Sequence, residues 1–221
     1  MKIIFLTLYT NQLEEQLRFY ERVLKMPVQN KKDSSFQVIM GYTILEFQKV
    51  ETATPYHFAI HIPARQEEQA LEWLRERVGI LTDQGEEIID FPAWKARSVY
   101  FYDADKNIVE FISREDLFPA KTEKFSEESL LGICEIGVAT VNVEEKFRFL
   151  NDHFGLQKFT GDYERFCATG DDEGLFIIIN KEIKDWIPTG DTAFASPFEI
   201  EFSVKGASSR VAFNNDLFKM L

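Results

Sequence analysis

The chain has 221 residues, of which 45% are apolar and 14% are aromatic, and its formal net charge is −12. A chain of this length can bury one large hydrophobic core or two small ones. The acidic balance, without any basic cluster, argues against a partner that presents a phosphate backbone or an anionic membrane surface. We therefore expect no nucleic-acid partner and no membrane partner.

The cysteines and the first residues of the chain bear on its location. Cys134 and Cys167 lack the spacing of a metal site, and a pair of free thiols fits a reducing compartment. The apolar run at residues 3–9 is too short to span a membrane, and no small-residue cleavage site follows it. We expect a cytoplasmic protein without a signal peptide.

Hydrophobic spacing predicts a strand at residues 2–10, a helix at 13–25 and two strands at 35–41 and 43–49. The same order then recurs along the chain. Its further predicted elements are a strand at 57–62, a helix at 67–78, strands at 86–91 and within 100–112, a strand at 132–141, a helix at 143–154, two strands within 165–180, a strand at 198–204 and a helix at 210–221.

The helices carry the clearest sign of an internal repeat. At an offset of 130, Glu14, Glu15, Arg18 and Phe19 of the first helix recur as Glu144, Glu145, Arg148 and Phe149 of the third. The chain thus contains about four starts of a βαβββ unit, the last of which is cut off after its helix. Because one such unit cannot bury its own sheet face, we expect the units to pack in pairs.

Residues 100–112, YFYDADKNIVEFI, predict a β-hairpin. Its turn is rich in Asp and Asn, whose side chains can hydrogen-bond their own backbone. Since side chains alternate along a strand, Glu110 shares one face with Ile108 and Ile112. Either that face is solvated and Glu110 is an ordinary surface residue, or Glu110 points into a cavity that holds a partner for its carboxylate.

The sequence YFYDADKNIVEF resembles the strand–turn–strand motif of the vicinal oxygen chelate superfamily, which includes glyoxalase I, fosfomycin-resistance proteins, extradiol dioxygenases and bleomycin-resistance proteins. The family pattern is close to F-x-D-P-D-G-N-x-x-E-[FL], and Glu110 falls on its metal-binding glutamate. Ala104 and Lys106 replace the proline and the glycine of that pattern. Lys106 is therefore expected at a positive φ, at a cost of about 1–2 kcal/mol.

The resemblance implies an α+β fold of repeated βαβββ modules, in which the first two modules form a cupped mixed β-sheet with the helices outside. Residues 1–115 are then expected to form a glyoxalase-like domain of two modules, and 116–130 a connector. Residues 131–221 would form a second, degenerate and truncated glyoxalase-like domain. The resemblance is strongest over the first two modules.

The resemblance also implies a set of metal ligands, because the family takes them from the first and the last strand of each paired module. Matching the motifs puts Glu46 of ILEF, His57 of HFAI and Glu110 at three ligand positions, and Phe5 at the fourth. One histidine and two carboxylates suffice for a catalytic zinc site with an open position. A two-histidine iron site cannot be assembled, since His61 lies about 13 Å from His57 along the strand. Glu46 or Glu110 would also move the proton as the catalytic group.

Two further sets of residues complete the expected site. Phe5, Tyr9 and Trp94 are expected to line the cup and bind the substrate. Glu135 and Glu199 match Phe5 and His57 in the second half of the chain. Two carboxylates at these positions could hold a hard cation, but we expect both to face the surface.

The implied donor set suits a divalent ion, whether zinc, nickel, manganese or iron, and no organic cofactor is implied. The implied function is a metal-dependent lyase or isomerase, whose ion holds two adjacent oxygens of a small substrate. Because Phe5 removes one donor, a metal-free binding or sequestration protein of the bleomycin-resistance type stays open as an alternative. Either protein could be a homodimer, since paired modules can close within one chain or between two.

Overall fold

The computed structural model describes residues 1–221 as two mixed β-sheets with three α-helices. The strands, in chain order, are β1 (Lys2–Thr10), β2 (Val28–Lys32), β3 (Ser35–Met40), β4 (Thr43–Lys49), β5 (His57–Ile62), β6 (Ile80–Leu81), β7 (Ile89–Phe91), β8 (Ala96–Tyr102), β9 (Ile108–Arg114), β10 (Gly132–Thr140), β11 (Lys158–Gly161), β12 (Phe166–Asp171), β13 (Gly174–Asn180), β14 (Phe198–Val204), β15 (Ala207–Asn214) and β16 (Leu217–Met220).

The helices are α1 (Leu13–Arg18), α2 (Glu67–Arg75) and α3 (Val143–Phe154), and a π-helical turn at Phe19–Val23 continues α1. Three of the four helices predicted from hydrophobic spacing are thus confirmed, although the second ends at Arg75 rather than at residue 78. None of them combines the length and the apolar character that crossing a membrane requires.

Strands from the two ends of the chain form one sheet, and strands from the middle of the chain form the other. The terminal sheet has the strand order β16-β15-β14-β1-β4-β3-β2. The central sheet has the order β11-β12-β13-β10-β5-β9-β8-β6, with β7 paired to β8. The helices pack on these sheets, α1 on β4, α2 on β8 and β9, and α3 on β12 and β13. The predicted α+β class is confirmed.

The internal repeat is visible in the order and the irregularities of the strands. The unit β1-α1-β2-β3-β4 recurs as β10-α3-β11-β12-β13, and in both the first strand runs parallel to the last. The first strands also share a shift in register, which falls between Ile3 and Phe5 in β1 and between Ile133 and Glu135 in β10. The repeat inferred from the offset of 130 is confirmed.

The pairing of the modules differs from the expectation that the first two share one sheet. β1 pairs antiparallel with β14, and β5 pairs antiparallel with β10, so the first module joins the C-terminal unit and the second joins the third. Burial in the folded protein follows this pairing. All six residues of β5 and eight of the nine in β10 are buried, whereas burial alternates along much of β1 and β14. Strands covered on both faces pair at the centre, and alternating strands keep one face toward solvent.

The expected division of the chain at residues 116–130 does not follow the sheets. Each sheet contains strands from both sides of this segment. The segment itself lies against the second module, where the Gln66 side chain donates a hydrogen bond to the Thr122 carbonyl. The expected division into two domains at this segment is therefore corrected, since residues 1–115 and 131–221 each contribute strands to both sheets.

The predicted helix at residues 210–221 is wrong, because this segment forms β15 and β16. Val211 and Phe213 are buried two residues apart, which is the period of a strand. Asn215 and Asp216 both have a positive φ, as a two-residue hairpin turn between antiparallel strands requires. The C-terminal unit is thus an antiparallel meander rather than a truncated βαβββ module.

Asp103 in the turn of the β8–β9 hairpin ties the central sheet to the first module. Its Oδ2 accepts hydrogen bonds from Gln16 and Tyr20 of the α1 region, at 2.9 and 3.0 Å, and from the Asn107 side chain at 2.8 Å. Its Oδ1 accepts from the backbone N–H groups of Asp105 and Asn107. The same turn holds Lys106 at φ 63°, as predicted from the missing glycine.

We expect Asp103→Asn to lower the free energy of unfolding by about 2–4 kcal/mol, because an amide cannot accept all five hydrogen bonds and leaves buried donors unpaired. Urea denaturation of both proteins measures the difference. Asp105→Asn is the matched control, since Asp105 lies in the same turn and its side chain accepts an exposed hydrogen bond from Gln12. Equal losses in the two variants would contradict a special role for Asp103.

Candidate functional site

A cavity of about 450 Å³ on the central sheet brings together three buried donors, His57, Glu110 and Glu135. One ligand atom of each residue lies within 4.8 Å of those of the other two. Aromatic side chains form part of the cavity walls. They include Phe91, Trp94, Tyr100, Phe166 and Trp186.

The sheet register explains why these donors meet. Ala59 of β5 pairs with Glu110 of the parallel strand β9 on one side and with Glu135 of the antiparallel strand β10 on the other. The two carboxylates therefore flank the small Ala59 side chain in one row across the sheet. His57 lies two residues before Ala59, and because side chains alternate it faces the same way.

The environment of His57 sets its tautomer and its charge. Nδ1 lies 3.2 Å from the Ile108 carbonyl, which can only accept, so Nδ1 carries the proton and Nε2 presents its lone pair. Nε2 lies 3.5 Å from Oε2 of Glu110. Burial lowers the pKa of His57 to about 4, which keeps the ring neutral. A neutral imidazole whose other nitrogen bonds a backbone carbonyl is the form that binds metal ions.

The Trp186 ring covers His57, with the two ring centroids 5.0 Å apart. Gly137 of β10 makes room for this ring, since an added Cβ would lie 2.7 Å from it. The glycine at position 137 therefore allows the Trp186 ring to pack against the strand and form part of the cavity wall.

The two carboxylates are held by different partners. The Ser98 hydroxyl donates to Oε1 of Glu110 at 2.6 Å. Oε1 of Glu135 is buried without a hydrogen bond, and the nearest cation is the guanidinium of Arg114, whose Nη2 lies 3.8 Å away. Burial raises the pKa of both glutamates, and the charge of Glu110 raises that of Glu135 further, while Arg114 lowers both.

These donors fit a divalent cation. A neutral imidazole nitrogen and two carboxylate groups, all buried, converge in one site, and one carboxylate oxygen has no hydrogen-bond partner. Zinc sites of catalytic proteins use such sets of three nitrogen and oxygen ligands and keep a further position open.

Ile177 occupies what would be a fourth ligand position. Gly137 pairs with Ile177 across the parallel strands β10 and β13, just as Ala59 pairs with Glu110 across β5 and β9. Ile177 also lines the cavity. An aliphatic side chain thus stands where the other module offers a glutamate.

The structure separates the residues that sequence analysis had grouped. Trp94 lines the cavity beside His57 and Glu110. The placement of Glu46, Phe5 and Tyr9 is corrected, because β1 and β4 belong to the terminal sheet, away from the central sheet that carries the cavity. The reason is the pairing of β1 with β14 instead of with β5.

On the terminal sheet, Glu46 accepts hydrogen bonds from the side chains of Gln37 and Gln48, at 3.0 and 2.7 Å. The Tyr9 hydroxyl donates to Glu199 at 3.4 Å. Glu46 therefore has polar partners of its own. Because it lies away from the central cavity, it does not fill the expected roles of ligand and proton carrier there.

Sequence analysis missed Glu135, which was expected at the surface and is instead buried beside Glu110. The signal was present in the repeat, since the offset of 130 aligns Glu135 with the ligand position of Phe5. What was lacking was the knowledge that the third module pairs with the second.

No protein-family model matches the sequence, and a comparison with curated proteins found no match. Solved structures do match. A dioxygenase-like protein from Bacillus subtilis is similar at a TM-score of 0.58 and 16% identity, over 81% of this chain and 63% of that one. Glyoxalase I from Zea mays is similar at a TM-score of 0.53 and 14% identity, over 80% of this chain and 66% of that one.

This chain thus spans less than two thirds of the length of the Bacillus protein. Structural similarity at identities this low shows a common fold and does not show a common activity. The fold, with its repeated βαβββ modules and mixed sheets, agrees with the resemblance of the hairpin motif. The chain has the fold of the vicinal oxygen chelate superfamily, in which glyoxalase I and related dioxygenases are found.

Proposed function

We propose that the protein is a glyoxalase-like enzyme that binds a divalent metal ion and acts as a lyase or isomerase on a small oxygenated substrate. The observation that carries the proposal is the convergence of His57, Glu110 and Glu135 in a buried cavity that has the size of a small-molecule site. The ligand set differs from the sequence-based one, because Glu135 joins His57 and Glu110 while Glu46 lies on the terminal sheet.

The charges of the cavity support a bound cation. Two carboxylates are buried side by side, and Arg114 is the cation that lies nearest to them. Buried carboxylates without compensation are costly, and a coordinated ion offsets both their desolvation and their repulsion. Nitrogen and oxygen donors suit zinc, nickel, manganese or iron alike, so the choice of metal stays open in the proposal.

A divalent ion held by His57, Glu110 and Glu135 would supply Lewis-acid polarisation of two adjacent substrate oxygens, which would acidify the neighbouring carbon. The residues of the chain then do the rest. Ser98 fixes the orientation of the Glu110 carboxylate, and Glu110 accepts and returns the proton. Trp186 and Tyr100 form walls that exclude water from the reacting atoms.

A metal-free binding protein is the second candidate, and two observations favour it. Ile177 leaves the ligand set one donor short, and Arg114 already gives Glu135 a cationic neighbour. In this case the aromatic cavity would hold an organic molecule without transforming it. A cytoplasmic location and a homodimer stay predictions of the sequence under both candidates.

We expect the protein, purified without chelator, to hold about one divalent ion per chain. His57→Ala and Glu135→Gln should each weaken metal binding on the order of 100-fold or more, because each removes a direct ligand. Elemental analysis and competition with a fluorescent chelator measure these changes. Glu46→Gln and Glu199→Gln are matched controls on the terminal sheet. A protein without metal would favour the second candidate, and controls that lose as much affinity as His57→Ala would contradict a metal site in the central cavity.

A donor at position 177 should strengthen the site. We expect Ile177→His to tighten metal binding about tenfold or more, because it adds a ligand at the fourth ligand position, which Ile177 occupies. Phe5→His, which the sequence alone suggested, should leave metal affinity unchanged, because Phe5 lies on the terminal sheet. The same chelator competition compares the two variants. Tighter binding by Phe5→His alone would place the metal elsewhere.

Stability of the metal-free protein should depend on the paired carboxylates. The pKa values of Glu110 and Glu135 are raised in the folded state, so the folded state holds protons that the unfolded chain releases. The contribution of these two groups to the free energy of unfolding is therefore complete below the ordinary carboxyl pKa of 4.5. It is lost as pH rises through their raised pKa values in the folded state.

Urea denaturation with chelator, at intervals between about pH 5 and pH 8.5, measures this slope. Glu135→Gln should flatten it, since it removes one titrating group and the repulsion that this group exerts. Glu128→Gln, at an exposed glutamate, is the control and should keep the wild-type slope. A slope that is the same in all three proteins would contradict the buried pair as its source.

A further inference from the structure

Two cations share the cavity with the proposed metal ligands. Lys184 and Arg165 both line the cavity, and neither has a carboxylate oxygen within 4.0 Å of its charged nitrogens. They come from different segments, since Arg165 precedes β12 and Lys184 follows β13. The fold therefore places two unpaired positive charges at one cavity in a chain of net charge −12.

The position of Lys184 makes its charge effective inside the cavity. Its side chain is half-buried, and burial lowers its pKa, as does the neighbouring charge of Arg165. The ammonium is also near enough to His57 to lower the pKa of that imidazole. A cation that is partly desolvated and unpaired gains more from an anionic partner than one in open solvent.

Two exposed carboxylates, Asp185 and Asp162, act through their charge on Lys184 and Arg165 respectively, but neither forms an ion pair with them within 4.0 Å. Glu110 and Glu135 belong to the metal ligand set. Oδ1 of Asp162 is occupied by the backbone N–H groups of the residues that follow it, at 2.8 Å for Glu164 and 2.6 Å for Arg165. The two cations are thus left for a ligand.

Aromatic rings give part of the cavity wall apolar, flat surfaces. Trp94 and Phe166 stack with their ring centroids 6.4 Å apart, and Phe159 meets Trp94 edge to face at 5.4 Å. Trp186 forms the wall that covers His57. Such surfaces favour a planar or apolar body over a flexible polar one.

We propose that the substrate of this cavity is an anion with two ends: a pair of adjacent oxygens that faces His57, Glu110 and Glu135, and a carboxylate that Lys184 and Arg165 bind, with a planar apolar body between them. The assignment of the oxygen end rests on the proposed metal function. The assignment of the carboxylate end rests on the two unpaired cations and the aromatic walls alone, so the two can fail separately.

Two probes of the same shape test the charge at the far end. 3,4-Dihydroxybenzoate and 3,4-dihydroxybenzamide share the ring and the adjacent oxygens and differ in the charge of the remaining group. Calorimetric titration of zinc-loaded and of metal-free protein should show that the carboxylate binds at least tenfold more tightly than the amide. This preference should shrink as the salt concentration rises, because the contact is a partly exposed ion pair.

Variants then assign the preference to the two residues. Lys184→Ala should remove most of it, Arg165→Ala part of it, and Lys184→Arg should retain it. Lys181→Ala is the matched control, because Lys181 lies three residues earlier on the same loop and lines a different cavity. A preference that survives in the Lys184→Ala, Arg165→Ala double variant would overturn the inference.

The remaining outcomes separate the two proposals. Equal affinity for the acid and the amide, or no detectable binding of the acid, overturns the carboxylate assignment even if zinc binds. A preference for the acid in a protein that binds no zinc supports the carboxylate assignment and overturns the metal function.

Discussion

The antiparallel pairing of β5 with β10 is the constraint on which the cavity depends. It places a strand of the second module beside a strand of the third, in a register that sets Glu135 opposite Ala59. The parallel pairing of β5 with β9 sets Glu110 on the other side of the same alanine. A shift of one residue in either pairing would turn a carboxylate to the opposite face of the sheet. The shift in register between Ile133 and Glu135 is thus part of the machinery that aims this side chain.

The site also concentrates the least favourable charges of the fold. Two carboxylates, an imidazole and the guanidinium of Arg114 are buried together, and the side chains of Arg114 and Glu135 lie 3.8 Å apart at the nearest charged atoms. A core selected for stability alone would carry apolar residues at these positions, as it does at Ile177. The desolvation cost of these charges falls in the cavity that the aromatic walls, the hydrogen bond from Ser98 and the neutral His57 equip to bind a ligand. Such local conflicts with the rules of packing are typical of functional sites.

Local patterns in the sequence predicted what depends on neighbours along the chain. The helices, the β8–β9 hairpin, the positive φ of Lys106 and the βαβββ repeat all follow from periodicity and turn chemistry. The pairing of modules does not, because every first strand is an acceptable partner for every other on local grounds. The misplaced Glu46 and the missed Glu135 are both consequences of this one ambiguity. The C-terminal hairpin was wrongly predicted as a helix for another reason. Spaced apolar residues in a short segment fit a helix as well as a strand.

The nested order of the strand pairs has a consequence for how the chain folds. Partners in the central sheet are about 75 residues apart at β5 and β10, and those in the terminal sheet about 190 apart at β1 and β14. The longer closure costs only about 0.8 kcal/mol more in chain entropy. During synthesis, however, the central sheet can close while β14 is still unmade, because domains assemble as their segments emerge. Until then β1 presents an unpaired edge, which is the surface at which misassembly between nascent copies would begin.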